Sequence, residues 1–162
     1  MKEKYYEKIG FIIFFGFALF VVDILVKRLL EAKLPEQGVY FLGKLFGLCC
    51  VHNENIAFSL PFNQDLLFFV IAIIVFYLIY NLTLYYRDNK VIGIWGSNLI
   101  IWGALANLHD RMNYGYVIDY IHLPLWPVFN LADVLVVTGV TMLVLVYVFE
   151  KKKDQQVSAS QA

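Results

Sequence analysis

The chain has 162 residues, a formal net charge of zero and 60% hydrophobic side chains, with a mean hydropathy of +0.66. That is too apolar for a soluble domain of this length, and balanced charge without a basic stripe argues against a nucleic-acid partner. What remains is an integral membrane protein.

Four segments are long enough to cross ~30 Å of hydrocarbon at ~1.5 Å per residue. They cover about residues 9–30, 66–86, 91–108 and 129–149. The first follows Lys2, Lys4 and Lys8 and has the outline of a signal peptide. No small-x-small cleavage site follows it, and three more apolar spans do, so it is read as a retained helix. The connection over residues 31–65 sets Gly38, Gly43 and Gly47 between short aromatic and β-branched runs. That pattern predicts a few strands, forming a small sheet at the membrane surface. It also carries the adjacent Cys49 and Cys50. A disulfide between neighbours strains the peptide and neither cysteine has metal-ligand spacing, so both are read as bystanders. After the second span, "RDNK" at 87–90 is a tight turn. The third span leads to a connection at 112–128 holding Pro124 and Pro127, and the fourth ends at Lys151, Lys152 and Lys153. The polar tail, residues 154–162, is expected to be disordered and cytoplasmic. The predicted fold is an all-α membrane protein: one integral membrane domain over residues 1–153, with four transmembrane helices and a small extracytoplasmic β-sheet between helices 1 and 2. No repeat of 20–50 residues is present.

The distribution of lysine and arginine orients the bundle. Eight (Lys2, Lys4, Lys8, Arg87, Lys90, Lys151, Lys152, Lys153) fall on one side and five (Lys27, Arg28, Lys33, Lys44, Arg111) on or near the other. Both termini are therefore expected in the cytoplasm.

Charges inside such spans cost roughly 2.5–3.5 kcal/mol each on insertion scales and call for a reason. Counting the helical rise, Asp23 lies ~21 Å from the start of span 1 and Asp133 lies ~24 Å from the end of span 4. Asp110 closes span 3, so three acids on three helices converge at one depth. "NLHD" at Asn107–Asp110 and "NLAD" at Asn130–Asp133 each put an amide one helical turn before an acid. Asp23 and Lys27 form a similar pair four residues apart. Interhelical anchoring explains any single pair; the full set gathered at one depth favours a functional polar site.

Two carboxylates facing each other cannot both ionise and so hold one proton between them. One then takes a proton from a water molecule while the other protonates a carbonyl oxygen or a leaving amine. This is aspartyl-protease chemistry and needs no serine, cysteine or histidine. Ser59 and Ser97 have no histidine at a telling spacing, and His52, His109 and His122 are scattered singly. Neither a triad nor a metal centre is predicted, and no cofactor.

At this point the chain resembles the lipoprotein signal peptidase family, also called signal peptidase II, from about Phe11 to Tyr147. "DILVK" at Asp23–Lys27 looks like its first box, and "NENIAF" at Asn53–Phe58 resembles Asn-x-Gly-x-Ala-Phe. "GALANLHDR" at Gly103–Arg111, "GYVIDYI" at Gly115–Ile121 and "FNLAD" at Phe129–Asp133 resemble the remaining three, in order. The resemblance implies a catalytic pair, Asp119 and Asp133, with Asp110 as a supporting acid. The residues agree: Asp110 has Arg111 beside it and is expected to stay ionised, whereas Asp119 sits among Tyr116, Val117, Ile118, Tyr120 and Ile121, an apolar setting that raises a carboxyl pKa. Carried over likewise, Asn53, Asn107, Arg111 and Asn130 hold substrate backbone and orient the dyad. Asp23 and Lys27 brace the outer end of helix 1. Ala57 and Phe58 shape the pocket wall, and Ala132 supports the final box. The implied substrate is a prolipoprotein whose cysteine already carries diacylglycerol, cut just before that cysteine. The implied setting is the bacterial inner membrane, with a monomer in contact with lipid and its site facing outward.

Three residues depart from the family pattern: Asn55 for a glycine, Trp102 where a small residue is usual, and Ala106 for the glycine before Asn107. Helix 3 is expected to pack less closely there. Two other readings compete. One is a non-catalytic lipopeptide-binding relative that keeps the cavity. The other is a small transporter or channel subunit with a proton path, disfavoured because spans 2 and 4 have no ionisable residue at their centres.

Overall fold

A computed structural model describes residues 2–41, 45–54 and 64–160. Four helices, α1 (Lys2–Lys33), α2 (Gln64–Arg87), α3 (Val91–Tyr114) and α4 (Leu131–Ser160), alternate in direction. Each contains a stretch long and apolar enough to cross a membrane. Three strands, β1 (Val39–Phe41), β2 (Phe46–Asn53) and β3 (Val117–His122), form one antiparallel sheet in the order β1-β2-β3. The sheet joins the end of the bundle where α1 and α3 finish and α4 begins. The turn between α2 and α3 marks the opposite end.

The helix limits follow local chemistry. α1 stops before Pro35, which cannot continue a helix, and Gly38 turns the chain at φ +70°. Asn89, at φ 56°, carries the turn from α2 to α3, a conformation asparagine tolerates. α3 ends on Gly115 in the left-handed conformation, whose N–H reaches the Arg111 carbonyl at 3.0 Å. The helix thus runs a full turn beyond Asp110, because the polar "RMNY" continues it past the apolar limit seen in the sequence. α4 extends to Ser160, into the stretch expected to be a disordered tail.

The third strand comes from the second connection, so the sheet is not built from the chain between helices 1 and 2 alone. Val117 to Tyr120 are all buried. Burial on both faces erases the period-2 alternation by which a strand is recognised. β2 pairs with β1 through Leu48–Val39 and with β3 through Leu48–Ile121 and Val51–Asp119. Between these two pairs, two residues on β2 thus face one on β3. The resulting bulge sets Cys49 and Cys50, both free thiols, across from Tyr120.

α3 is the central helix: 56% of its span is buried, against 22% for α1 and α4 and 6% for α2. It meets α4 backbone to backbone. A Cβ on Gly139 would stand 2.5 Å from the Gly96 carbonyl, and one on Gly103 would stand 2.6 Å from the Ala132 carbonyl. Against α1 the small residue is on the other partner. Trp102 packs on Phe17 and Phe20, and Gly16 of α1 makes room for it. Trp102 therefore does not loosen α3, because the missing small residue is supplied by α1, and Ala106 is fully buried.

Candidate active site

Asp119 and Asp133 reach one site from different elements. Asp133 stands in the first turn of α4, just after Asn130. The Asn130 Oδ1 accepts the Asp133 N–H at 2.9 Å, and the Asp133 Oδ2 accepts the Asn130 N–H at 3.1 Å. This reciprocal pair is a capping box: each side chain satisfies a backbone N–H that the helix start leaves open. The same spelling in Asn107–Asp110 makes no such box, because it lies inside α3 with no helix start to cap.

Asp119 lies on β3, where Val51 is its pairing partner and Asn53 its diagonal neighbour on the same face. The Asn53 Nδ2 donates to Asp119 Oδ2 at 2.9 Å, and the Asn130 Nδ2 donates to Asp119 Oδ1 at 2.7 Å. Asn107 donates its Nδ2 to Asp133 Oδ1 at 2.8 Å and accepts from the Asn130 Nδ2 at 3.1 Å. Each of the four carboxyl oxygens thus meets one N–H donor, and Asn130 touches both acids. Asp119 is 4% exposed. Burial pushes its carboxyl up to about 6, helped by the charge of Asp133 and opposed by the amides of Asn53 and Asn130 and by the Lys27 charge.

Behind the two acids lies a charged cluster. The Lys27 Nζ is 2.7 Å from Asp23 Oδ2, 2.9 Å from Asp110 Oδ2 and 3.0 Å from Asn107 Oδ1. Lys27, Asp23 and Asp110 are all fully buried. Asp23 Oδ1 accepts from the Tyr120 hydroxyl at 3.2 Å and from the Ala132 N–H at 3.3 Å. Asp110 Oδ2 accepts from the Ile118 N–H at 3.4 Å. The cations closest to Asp110 are Lys27 and, at 3.8 Å, Arg28; Arg111, one position on and rotated around α3, lines the cavity and feels the charges of Asp119 and Asp133 ahead of that of Asp110. Sequence adjacency misleads on a helix, where neighbours point ~100° apart.

Tyr120 is a residue that reading the sequence missed. Its hydroxyl also accepts the Leu131 N–H at 3.2 Å, tying β3 to the start of α4. Burial, then the nearby Asp23 charge, raises its pKa and keeps the phenol a donor. The signal available was a tyrosine where the family motif has phenylalanine. Ala57, Phe58 and Asn55 lie outside the described residues.

Both acids open onto a cavity of about 410 Å³ that also reaches Asn53, Asn107 and Arg111. Its far wall is apolar, made by Ile71 of α2, Ala104 of α3 and Val136 and Val137 of α4, while Trp126 and Pro127 stand at the β3–α4 loop. Trp102 and Ala106 are not among the lining residues, so those departures leave the wall unchanged. Among the described residues no group of three or more His, Cys, Asp or Glu is placed to hold a metal ion. The arrangement offers a paired-acid centre beside an oily trough, open to an extended peptide with an apolar attachment.

Comparison with known proteins adds a family. The family model described as Signal peptidase (SPase) II matches residues 15–149. A lipoprotein signal peptidase of Halothermothrix orenii is 38% identical over 136 residues, 82% of this chain and 91% of that protein. One of Syntrophomonas wolfei is 36% identical over 148 residues, 88% and 97% of the two chains. A solved bacterial membrane enzyme superposes with a TM-score of 0.78 at 21% identity, over 89% of this chain and 91% of its own, and shares the fold.

Proposed function

This chain belongs to the signal peptidase II family, and on that premise we propose that it removes the signal peptide from prolipoproteins whose cysteine carries diacylglycerol, using Asp119 and Asp133 as an aspartyl dyad. It is a multi-pass bacterial membrane protein and a peptidase. The observation that supports the aspartyl reading is two acids on one cavity, one of them almost fully buried, both held by amide donors next to an apolar wall.

In this mechanism Asp133 takes a proton from a water molecule, and the hydroxide formed attacks the carbonyl carbon of the residue preceding the lipidated cysteine. Asp119, whose carboxyl titrates near 6, gives its proton to the carbonyl oxygen. As the tetrahedral intermediate collapses, the C–N bond breaks and the cysteine nitrogen leaves with the proton held by Asp133. The hydroxyl formed on the former carbonyl oxygen returns its proton to Asp119. Asn53, Asn107 and Asn130 act on the dyad itself, holding both carboxyls in place, and Arg111, on the cavity wall within the field of both acids, can meet the peptide backbone. The wall of Ile71, Val136 and Val137 suits acyl chains. Both termini are cytoplasmic in this reading, so the sheet end and its acids face outward, where exported substrates arrive.

The test is conversion of a lipidated prolipoprotein, followed by gel shift, with purified protein in detergent. Asp119→Asn and Asp133→Asn are each expected to lower turnover at least ~100-fold while the protein stays folded, since an amide cannot exchange the proton. Near wild-type turnover in either variant refutes the dyad.

A further inference from the structure

We infer that Lys27 is a positioning residue for the reaction, acting on the dyad through Asn107; the inference rests on the aspartyl reading above. An ammonium has three protons and no acceptor, and three oxygens stand within 3.0 Å of this one. Lys27 thus makes one hydrogen bond, to Asn107, and two short ion pairs, and each partner passes its hold on to a residue at or beside an acid. Asn107 reaches Asp133 directly. Asp23 reaches Ala132, the neighbour of Asp133, and Tyr120, the neighbour of Asp119. Asp110 reaches the backbone of Ile118, on the other side of Asp119.

The Asn107 branch carries directional information that the ion pairs do not. Because Lys27 can only donate, the Asn107 oxygen must face it, and the Nδ2 is then turned towards Asp133. Released from that cation, the Asn107 oxygen keeps only the neutral Asn130 Nδ2 donor at 3.1 Å, and the amide can then more easily present either end. With the oxygen turned towards Asp133, two acceptors would oppose each other and the carboxylate would swing away. The cation also polarises the amide, strengthening the N–H that holds Asp133. A counter-ion for Asp23 and Asp110 alone would have no such effect on the reacting group.

The experiment separates these two roles in the full-length protein, using the lipidated substrate. Lys27→Met is expected to lower kcat about 30-fold or more, with KM within about threefold, as misplaced catalytic groups do. The paired variant Lys27→Met/Asp23→Asn removes one of the two stranded charges, the other, Asp110, keeping Arg28 at 3.8 Å, and retains an oxygen for Ala132 and Tyr120. It should regain thermal stability and not regain kcat. In an Asn107→Ala background, Lys27→Met should cost less than about threefold more, because both changes remove one path. Recovery of kcat in the paired variant, or full multiplication of the two single losses, overturns the inference and leaves the dyad reading standing. Full activity in Asp119→Asn or Asp133→Asn overturns the dyad reading, whatever the Lys27 cycle shows.

Discussion

The two ends of this bundle are held together by different means. At the end away from the sheet, α3 and α4 touch through Gly96 and Gly139, and Ile9, Ile12 and Ile94 form an apolar core with Tyr5, Tyr85 and Trp95 against it. The Asn98 amide ties the α1 backbone there through the Ile12 carbonyl, at 2.8 Å. At the sheet end, the same helices meet through Lys27, Asp23 and Asp110, with no exposed surface, and through the amides around the two acids. Apolar contact between small residues gives close packing without desolvating a charge. Buried ions stabilise only when every partner is present, and an apolar core of similar volume would often do as well. The sheet end accepts that vulnerability because the reaction needs charged groups held still; the far end carries no such demand and relies on fit, on the Asn98 hydrogen bond and on the half-exposed Lys90–Glu150 pair at 2.9 Å.

This contrast can be broken most sharply at Asp110. Asp110→Asn leaves Lys27 with one fewer anion in a fully buried setting, and is expected to cost about 3–5 kcal/mol of stability. Some turnover should survive, because Asp110 touches neither reacting carboxyl. Denaturation in detergent beside a cleavage assay reads both, and a fully stable but inactive protein would promote Asp110 to the catalytic pair.

A second test uses pH. Asp119 has a folded value of about 6 against an ordinary 3.8, so the folded protein keeps a proton that the unfolded chain has lost. Its contribution makes stability fall as pH rises from about 4 through 6, by an amount on the order of 3 kcal/mol. Below about 4 the group is protonated in both states and the effect disappears. Unfolding followed from pH 4 to 8 should show this slope, with a descending limb of kcat/KM near pH 6. A flat stability profile in that window would mean that the carboxyl is not held in an apolar setting.

Two glycines sharpen the comparison further. Gly139→Ala and Gly103→Ala both push a Cβ into a facing carbonyl, and each is expected to cost about 1–3 kcal/mol. Only Gly103 faces Ala132, next to Asp133, so Gly103→Ala should also lower kcat, whereas Gly139→Ala should leave the rate per folded molecule unchanged. Equal losses of rate would erase the distinction between the two ends. The smallest effect is expected from Trp102→Phe, a change in the α1–α3 contact away from the cavity: about 1 kcal/mol or less in stability, and an unaltered KM.

What the sequence disclosed and what it withheld divide along the range of the interaction. The four spans are one-dimensional facts of hydropathy, and the common depth of Asp23, Asp110 and Asp133 follows from the helical rise. The partner of Asp110 is not of this kind. Lys27 is separated from Asp110 along the chain by β1, β2, α2 and most of α3, so only the assembled bundle could favour it over the adjacent Arg111. "NLHD" and "NLAD" are spelled alike but differ in setting, and only the helix start at Leu131 makes the second a cap. β3 was hidden because both its faces are covered, and the hydroxyl of Tyr120 was one oxygen within a motif matched for its aromatic ring.

The bulge in β2 has a bearing on chain length. Leu48 and Val51 are three positions apart, yet they pair with Ile121 and Asp119, two apart. Removing either cysteine would therefore leave every pair on both sides as it is, with Val51 still opposite Asp119 and Asn53 still diagonal to it. Elsewhere along the strand, losing one residue would turn the following side chains to the opposite face. Residues 49 and 50 are thus where this strand can shorten by one without misaligning the Asn53–Asp119 contact.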